Sequence, residues 1–329
     1  MKRKNSWRVE VINSLYDTVK FEFNVSIKKN AGRTKLKILS VIGLALTIIF
    51  TEAMPTFALT SENKAFPYYT NLNHVELTEG QYNNLARVFD EDTIATFTQD
   101  MVDILANDTA LETRGHSKYI KTDTVVDFLG NVISTTDTEE EAMEFIENPP
   151  VQLKGYPVHQ TTMKRLTINV TAGSLSSKTI TVTCEWLVGQ MPATRSHDVI
   201  AIRPGLSIGL NDRSSITGYL KHNGSIVQNY TKGHSNIKDI SGGVGLSMSL
   251  PSGGTSMSHG LTMIVISNRD PFTAYGSFQH AQSAVTLADS KAYNINSSGL
   301  GSVIDFTNTT TRSKYDAMQG VNVHGVQIH

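Results

Sequence analysis

From Leu166 onward the apolar residues of this chain fall on every second position, and that period decides what it can fold into. Leu166, Ile168 and Val170 alternate with polar neighbours, a turn spans Gly173 to Ser177, and Ile180, Val182, Cys184 and Trp186 alternate again. Side chains on a strand point to opposite faces in turn, so this spacing writes a half-buried hairpin. Val199 to Ile202 reads as another strand. Tyr219 to Tyr230 carries Asn223 and Gly224, the pair best able to take the positive φ angles of a tight turn between two strands. More strands are expected over Val244 to Leu250, Leu261 to Ser267, Ala274 to Leu287, Ser302 to Phe306 and Val321 to Ile328, separated by Gly and Ser clusters. Seven or more short strands at this spacing point to an antiparallel sandwich or barrel, and the expected architecture is an antiparallel β-sandwich over 151–329.

Before Pro149 and Pro150 the signals are mostly helical. Thr78 and Gln81 have capping-box spacing ahead of a helix from about Glu79 to Phe89. Asp90 and Asp92 can cap a second helix carrying Ile94, Phe97, Met101, Ile104 and Leu105 on one stripe, ended near Asn107. Lys118 to Thr135 switches to branched residues around Gly130 and Asn131 and reads as a short hairpin. Thr138 and Glu141 open a helix over 139–147 that the two prolines stop. The fold class is therefore α+β: a small N-terminal helix-rich region over 59–150, followed by the sandwich.

Residues 1–58 read as a signal peptide with an extended basic leader. The apolar run Ile38 to Phe50 follows Lys28, Lys29, Arg33, Lys35 and Lys37. As a helix it would rise only about 20 Å, short of the roughly 30 Å of a bilayer core, but it suits a signal-peptide core. Thr56 and Ala58 place small residues before a cleavage expected between Ala58 and Leu59. These 58 residues carry ten Lys and Arg against four Asp and Glu, leaving 19 of the 29 basic and 26 of the 30 acidic side chains, a net of about −7. A mildly acidic body is poorly suited to nucleic acid or anionic lipid. Cys184 is the single cysteine, so no intramolecular disulfide can form. An exported chain without disulfides fits a bacterium, which makes the expected location secreted and extracellular.

Four groups of residues are candidates for chemistry. Gly205 to Gly209 satisfies G-x-S-x-G and makes Ser207 the candidate catalytic nucleophile of a secreted hydrolase, although LNDRSSITGYL follows where the nucleophile elbow needs a helix. The ten histidines, His74 to His329, contain no HExxH pair, so no metal site or cofactor is expected, and Cys184 falls in phase with core residues. Phe272, Tyr275 and Phe278 form an aromatic cluster that could seat a carbohydrate ring or a surface protein. In Ser241 to Ser267, Val244, Leu246, Met248 and Leu250 alternate with Gly and Ser, a turn follows, and Met257 to Ile266 returns as an apolar strand. Such a hairpin resembles the membrane-inserting segments of β-pore-forming toxins, which need lipid-facing and lumen-facing residues in alternation. The resemblance implies membrane contact beyond the signal peptide. With no paired nucleophile and base, metal box or phosphate loop in the sequence, the expected function is a secreted extracellular or cell-surface binding protein without catalytic activity. The partner would be a surface protein or a carbohydrate.

Overall fold

The computed structural model describes residues 68–126, 132–138, 158–174, 176–187, 191–192, 194–205, 213–267, 271–296, 302–316 and 321–323. All belong to one compact unit, Phe66–His329. This unit is mostly antiparallel β-sheet with few helices. In chain order its elements are β1 (Tyr69–Thr70), β2 (Glu76–Leu77), α1 (Glu79–Leu85), α2 (Glu91–Ala95), α3 (Gln99–Leu105), β3 (Glu112–Val126), β4 (Val132–Thr138), β5 (Val158–Ala172) and β6 (Ser177–Trp186). They continue with β7 (His197–Pro204), β8 (Arg213–His222), β9 (Ser225–Thr231), β10 (Ile237–Ile240), β11 (Gly243–Ser249), β12 (Met257–Ile266) and β13 (Ala274–His280). Last come α4 (Leu287–Ser290), β14 (Tyr293–Ile295), β15 (Ile304–Phe306), α5 (Thr309–Arg312) and β16 (Val321–Val323).

A seven-stranded sheet runs β4-β3-β5-β6-β12-β8-β9 and a five-stranded sheet runs β10-β11-β7-β13-β16. One apolar cluster draws on both: Leu166, Ile168, Val182, Leu261 and Met263 from the larger sheet, and Ile200, Ile202, Leu246 and Phe278 from the smaller. Fully burying an aliphatic or aromatic side chain of this size contributes roughly 1.5–3 kcal/mol, which makes this cluster the main stabilising mass of the unit. The opposite face of the larger sheet carries α1 to α3, whose Leu85, Met101 and Leu105, with Phe97 from the link between α2 and α3, share a second cluster with Ile264 of β12. The opposite face of the smaller sheet is covered by Tyr293, Val303, Ile304, Phe306 and Tyr315 against Val199 and Ala201.

Local signals place several elements. Thr78 caps α1 with a complete capping box, and Asp90 caps α2 by accepting from Thr93 N–H. Asn223 and Gly224 take φ 50° and 81°, and the hairpin closes on His222 opposite Ser225. The helix expected from Asp90 to Asn107 is two helices, because Thr96 leaves the helical path and Thr98 starts α3. There the chain turns so that Asn71 can donate to the carbonyls of Ile94 and Phe97. The hairpin expected near Gly130 is longer on its first arm than the pattern implies, since β3 pairs with β5 along all fifteen of its residues. The helix expected over 139–147 lies outside the described residues.

The hairpin expected from Ser241 to Ser267 needs correction. β11 pairs with β10 and β7, whereas β12 pairs with β6 and β8, so the chain crosses from one sheet to the other at Pro251 to Ser256. Period two tells which face a residue occupies but not which strand lies beside it.

Candidate functional site

Five strands converge on a buried polar cluster at one end of the shared core. Strand parity aims Lys164 of β5 into the core in phase with Leu166 and Ile168, and its cross-strand neighbour is Trp186 of β6. Likewise Asp198 of β7 is in phase with Ile200, His259 of β12 with Leu261, and His280 of β13 with Phe278. Register puts Asp198 opposite His280, and His259 opposite Cys184. Past β13, a bridge between Ala281 and Tyr315 brings in Asp316.

Asp198 is the hub of this cluster. Its Oδ1 lies 2.6 Å from His280 Nδ1, and its Oδ2 lies 3.0 Å from His259 Nε2, within ion-pair distance but out of hydrogen-bond alignment. Asp198 and His259 are fully buried and His280 nearly so. Burial alone would raise the Asp198 pKa, but attraction to His280 and His259 outweighs it and holds the carboxyl well below the usual carboxylate range. Lys164 Nζ contacts Asp316 Oδ2 directly, with both side chains buried. Asp316 is in turn locked to the end of β13: its Oδ1 accepts from the His280 N–H at 2.7 Å, and its own N–H donates to the His280 carbonyl at 2.8 Å. Trp186 walls the cluster, edge-on to His280 at 4.9 Å, and the Lys164 amine sits 5.0 Å from the Trp186 ring centre.

Cys184 lies beside this cluster and is fully buried. Burial pushes its thiol well above the ordinary value, a rise only partly opposed by Lys164. Nucleophilic attack needs the thiolate, so Cys184 should resist iodoacetamide in the native protein and react once the chain is denatured. Mass spectrometry before and after denaturation checks this, and native labelling would contradict the burial.

A second polar surface lies on the opposite face of the larger sheet, beside the helices. Arg165, Glu185, Tyr219, Lys221, Asp90 and Asp92 line a cleft of about 280 Å³. Lys221 pairs with Asp92 at 2.7 Å, and Arg165 with Glu185. Gly260 makes room for the Tyr219 ring, since a Cβ there would lie 2.1 Å from Tyr219 Cε1.

The three aromatic residues read from the sequence do not share one surface. Phe272 and Phe278 are fully buried in the shared core, whereas Tyr275 points to the other face of β13 with its ring 4.4 Å from the Arg203 guanidinium. Tyr275 and Phe278 are three apart on one strand, so the period of two separates them. Ser207, Ala58 and Leu59 lie outside the described residues. Among the described residues, no group of three or more His, Cys, Asp or Glu is arranged to hold a metal ion. Sequence reasoning passed over Lys164, Asp198, His259, His280 and Asp316. The available signal was a charged or imidazole side chain standing in phase with core residues on four separate strands.

No family model, curated protein or solved structure matches this chain. Its function therefore rests on its own residues.

Proposed function

We propose that the protein is a secreted extracellular or cell-surface binding protein of bacterial origin, acting without catalysis, whose body is an antiparallel β-sandwich behind a small helical cap. The sandwich reading is supported by the core cluster that draws side chains from both sheets. The observation that carries the functional reading is how the ionisable groups are distributed. Those that converge, Asp198, His259, His280, Lys164 and Asp316, are buried, which suits groups that serve the fold. Among the groups that reach solvent, Arg165, Glu185, Lys221 and Asp92 are partly exposed and line a cleft with the Tyr219 ring. Mixed charge around an aromatic floor suits recognition of a polar partner, a surface protein or a carbohydrate. The pore-forming reading draws less support, since β11 and β12, the two arms of its hairpin, belong to different sheets.

The test has two arms. Intact masses of the protein recovered from culture medium and from washed cells report export and leader removal, and a full-length chain confined to the cytosol would overturn the location. Fluorescently labelled protein applied to cells of the producing species and to immobilised glycans should bind saturably. Arg165→Glu with Lys221→Glu should weaken that binding about tenfold or more, as expected for reversing charges at a polar interface. Equal binding by the doubly reversed variant would exclude this cleft as the recognition surface.

A further inference from the structure

The Lys164 and Asp316 pair asks for a reason to exist. A buried ion pair is often no more stabilising than apolar residues of the same volume, because both charges lose their hydration. This one lies 1% and 3% exposed, with Trp186 and Phe278 ring centres 5.0 and 5.8 Å from the amine. The arrangement has what amide formation needs. An amine nucleophile touches a carboxyl group, aromatic walls exclude the water that would solvate the ions, and a backbone N–H already points at the second carboxyl oxygen.

We propose that Lys164 and Asp316 join in an intramolecular amide bond, a covalent staple between β5 and the segment that follows β15 and α5. In a dry site the ammonium proton passes to the carboxylate across their contact, leaving amine and acid. Nζ then attacks Cγ, and the charge that develops on Oδ1 is met by the His280 N–H at 2.7 Å. The new bond is Nζ–Cγ and the broken one is Cγ–Oδ2. Of the three ammonium protons, one remains on the amide nitrogen and two leave with Oδ2 as water, so atoms and charge balance without an oxidant or other co-reactant. Asp316 also lines a cavity with Gln279, Asp305 and Arg312, which offers the released water a way out. Groups held in contact react at effective concentrations on the order of 10⁵ M or more, enough to drive a condensation that is unfavourable between free solutes. Asp198 is a positioning residue: through His280 it anchors the end of β13, to which Asp316 is bonded.

The staple would suit a chain whose single cysteine cannot supply a disulfide, and it would close a loop between residues 152 apart in sequence. It does not depend on the binding role proposed above.

Tryptic mapping of the purified, folded, full-length protein tests it. Cleavage is expected after Lys154, Arg165 and Lys314 but not at the acylated Lys164, giving residues 155–165 joined to 315–329 at a mass one water below the sum of the two. Lys164→Arg and Asp316→Ala should each abolish the joined species, and on denaturing gels both variants should migrate behind the more compact stapled chain. Recovery of residues 315–329 at full mass, together with cleavage after Lys164, from the wild-type protein would overturn the proposal. That reading stands even if neither variant folds.

Discussion

Replacing Asp198 with Ala is expected to cost about 3–5 kcal/mol of folding stability, the magnitude found when one partner of a buried ion pair is removed. The carboxylate serves two histidines at once, His280 at 2.6 Å and His259 at 3.0 Å, neither of them able to turn to solvent. Without it, two imidazoles face an uncompensated cavity in the core. Urea unfolding monitored by circular dichroism measures the loss, and Asp198→Asn, which keeps the shape but not the charge, should fall between wild type and Ala. The same carboxylate sets an acid dependence. Its folded pKa lies well below the unfolded value of about 3.9, so its contribution is fully present above roughly pH 5 and is lost as pH falls toward the folded value. Unfolding midpoints collected below pH 5 should therefore fall less steeply in Asp198→Ala than in wild type. Lys164, Asp316 and Tyr315 share the neighbourhood in both proteins, so the difference in slope belongs to Asp198 together with His259 and His280, the two imidazoles it pairs with. Unchanged stability together with an unchanged acid slope would show that Asp198 is not the hub of the cluster.

Trp186→Ala should cost about as much, roughly 3–5 kcal/mol, for a different reason. The indole is 1% exposed and packs edge-on against Phe278 and His280, so removing it opens a void that neighbouring strands, tied on both sides, cannot collapse into. Its Nε1 has no hydrogen-bond partner. Trp186→Phe therefore gives up ring area but no hydrogen bond, and should cost less than half as much. Denaturant midpoints of the two variants separate packing from polarity. A Phe variant as damaged as Ala would mean that the indole nitrogen has a role the packing does not explain.

The cluster that makes these two residues important was half legible in the sequence. Asp198, His259 and His280 each stand on a core-facing position of an alternating strand, and that parity could be read from neighbours such as Ile200, Leu261 and Phe278. Their convergence could not be read, because it depends on β7 pairing with β13 and on β12 facing them from the other sheet. The aromatic cluster failed the opposite way. Phe272, Tyr275 and Phe278 look like a unit because they are close in sequence, yet strand geometry sends Tyr275 to the other face. The expected Ser241 to Ser267 hairpin failed because its two arms, although adjacent in sequence, hydrogen-bond to different sheets.

By itself, the sequence determined what local forces determine: the strand period and hence the face of each side chain, the positive-φ turn at Asn223 and Gly224, and the caps at Thr78 and Asp90. Only the tertiary structure decided strand order, the passage of the chain between the two sheets and the meeting of Lys164 with Asp316. Those contacts join residues far apart in the chain, and their free energy comes from burying surfaces against one another, which no short window of sequence encodes.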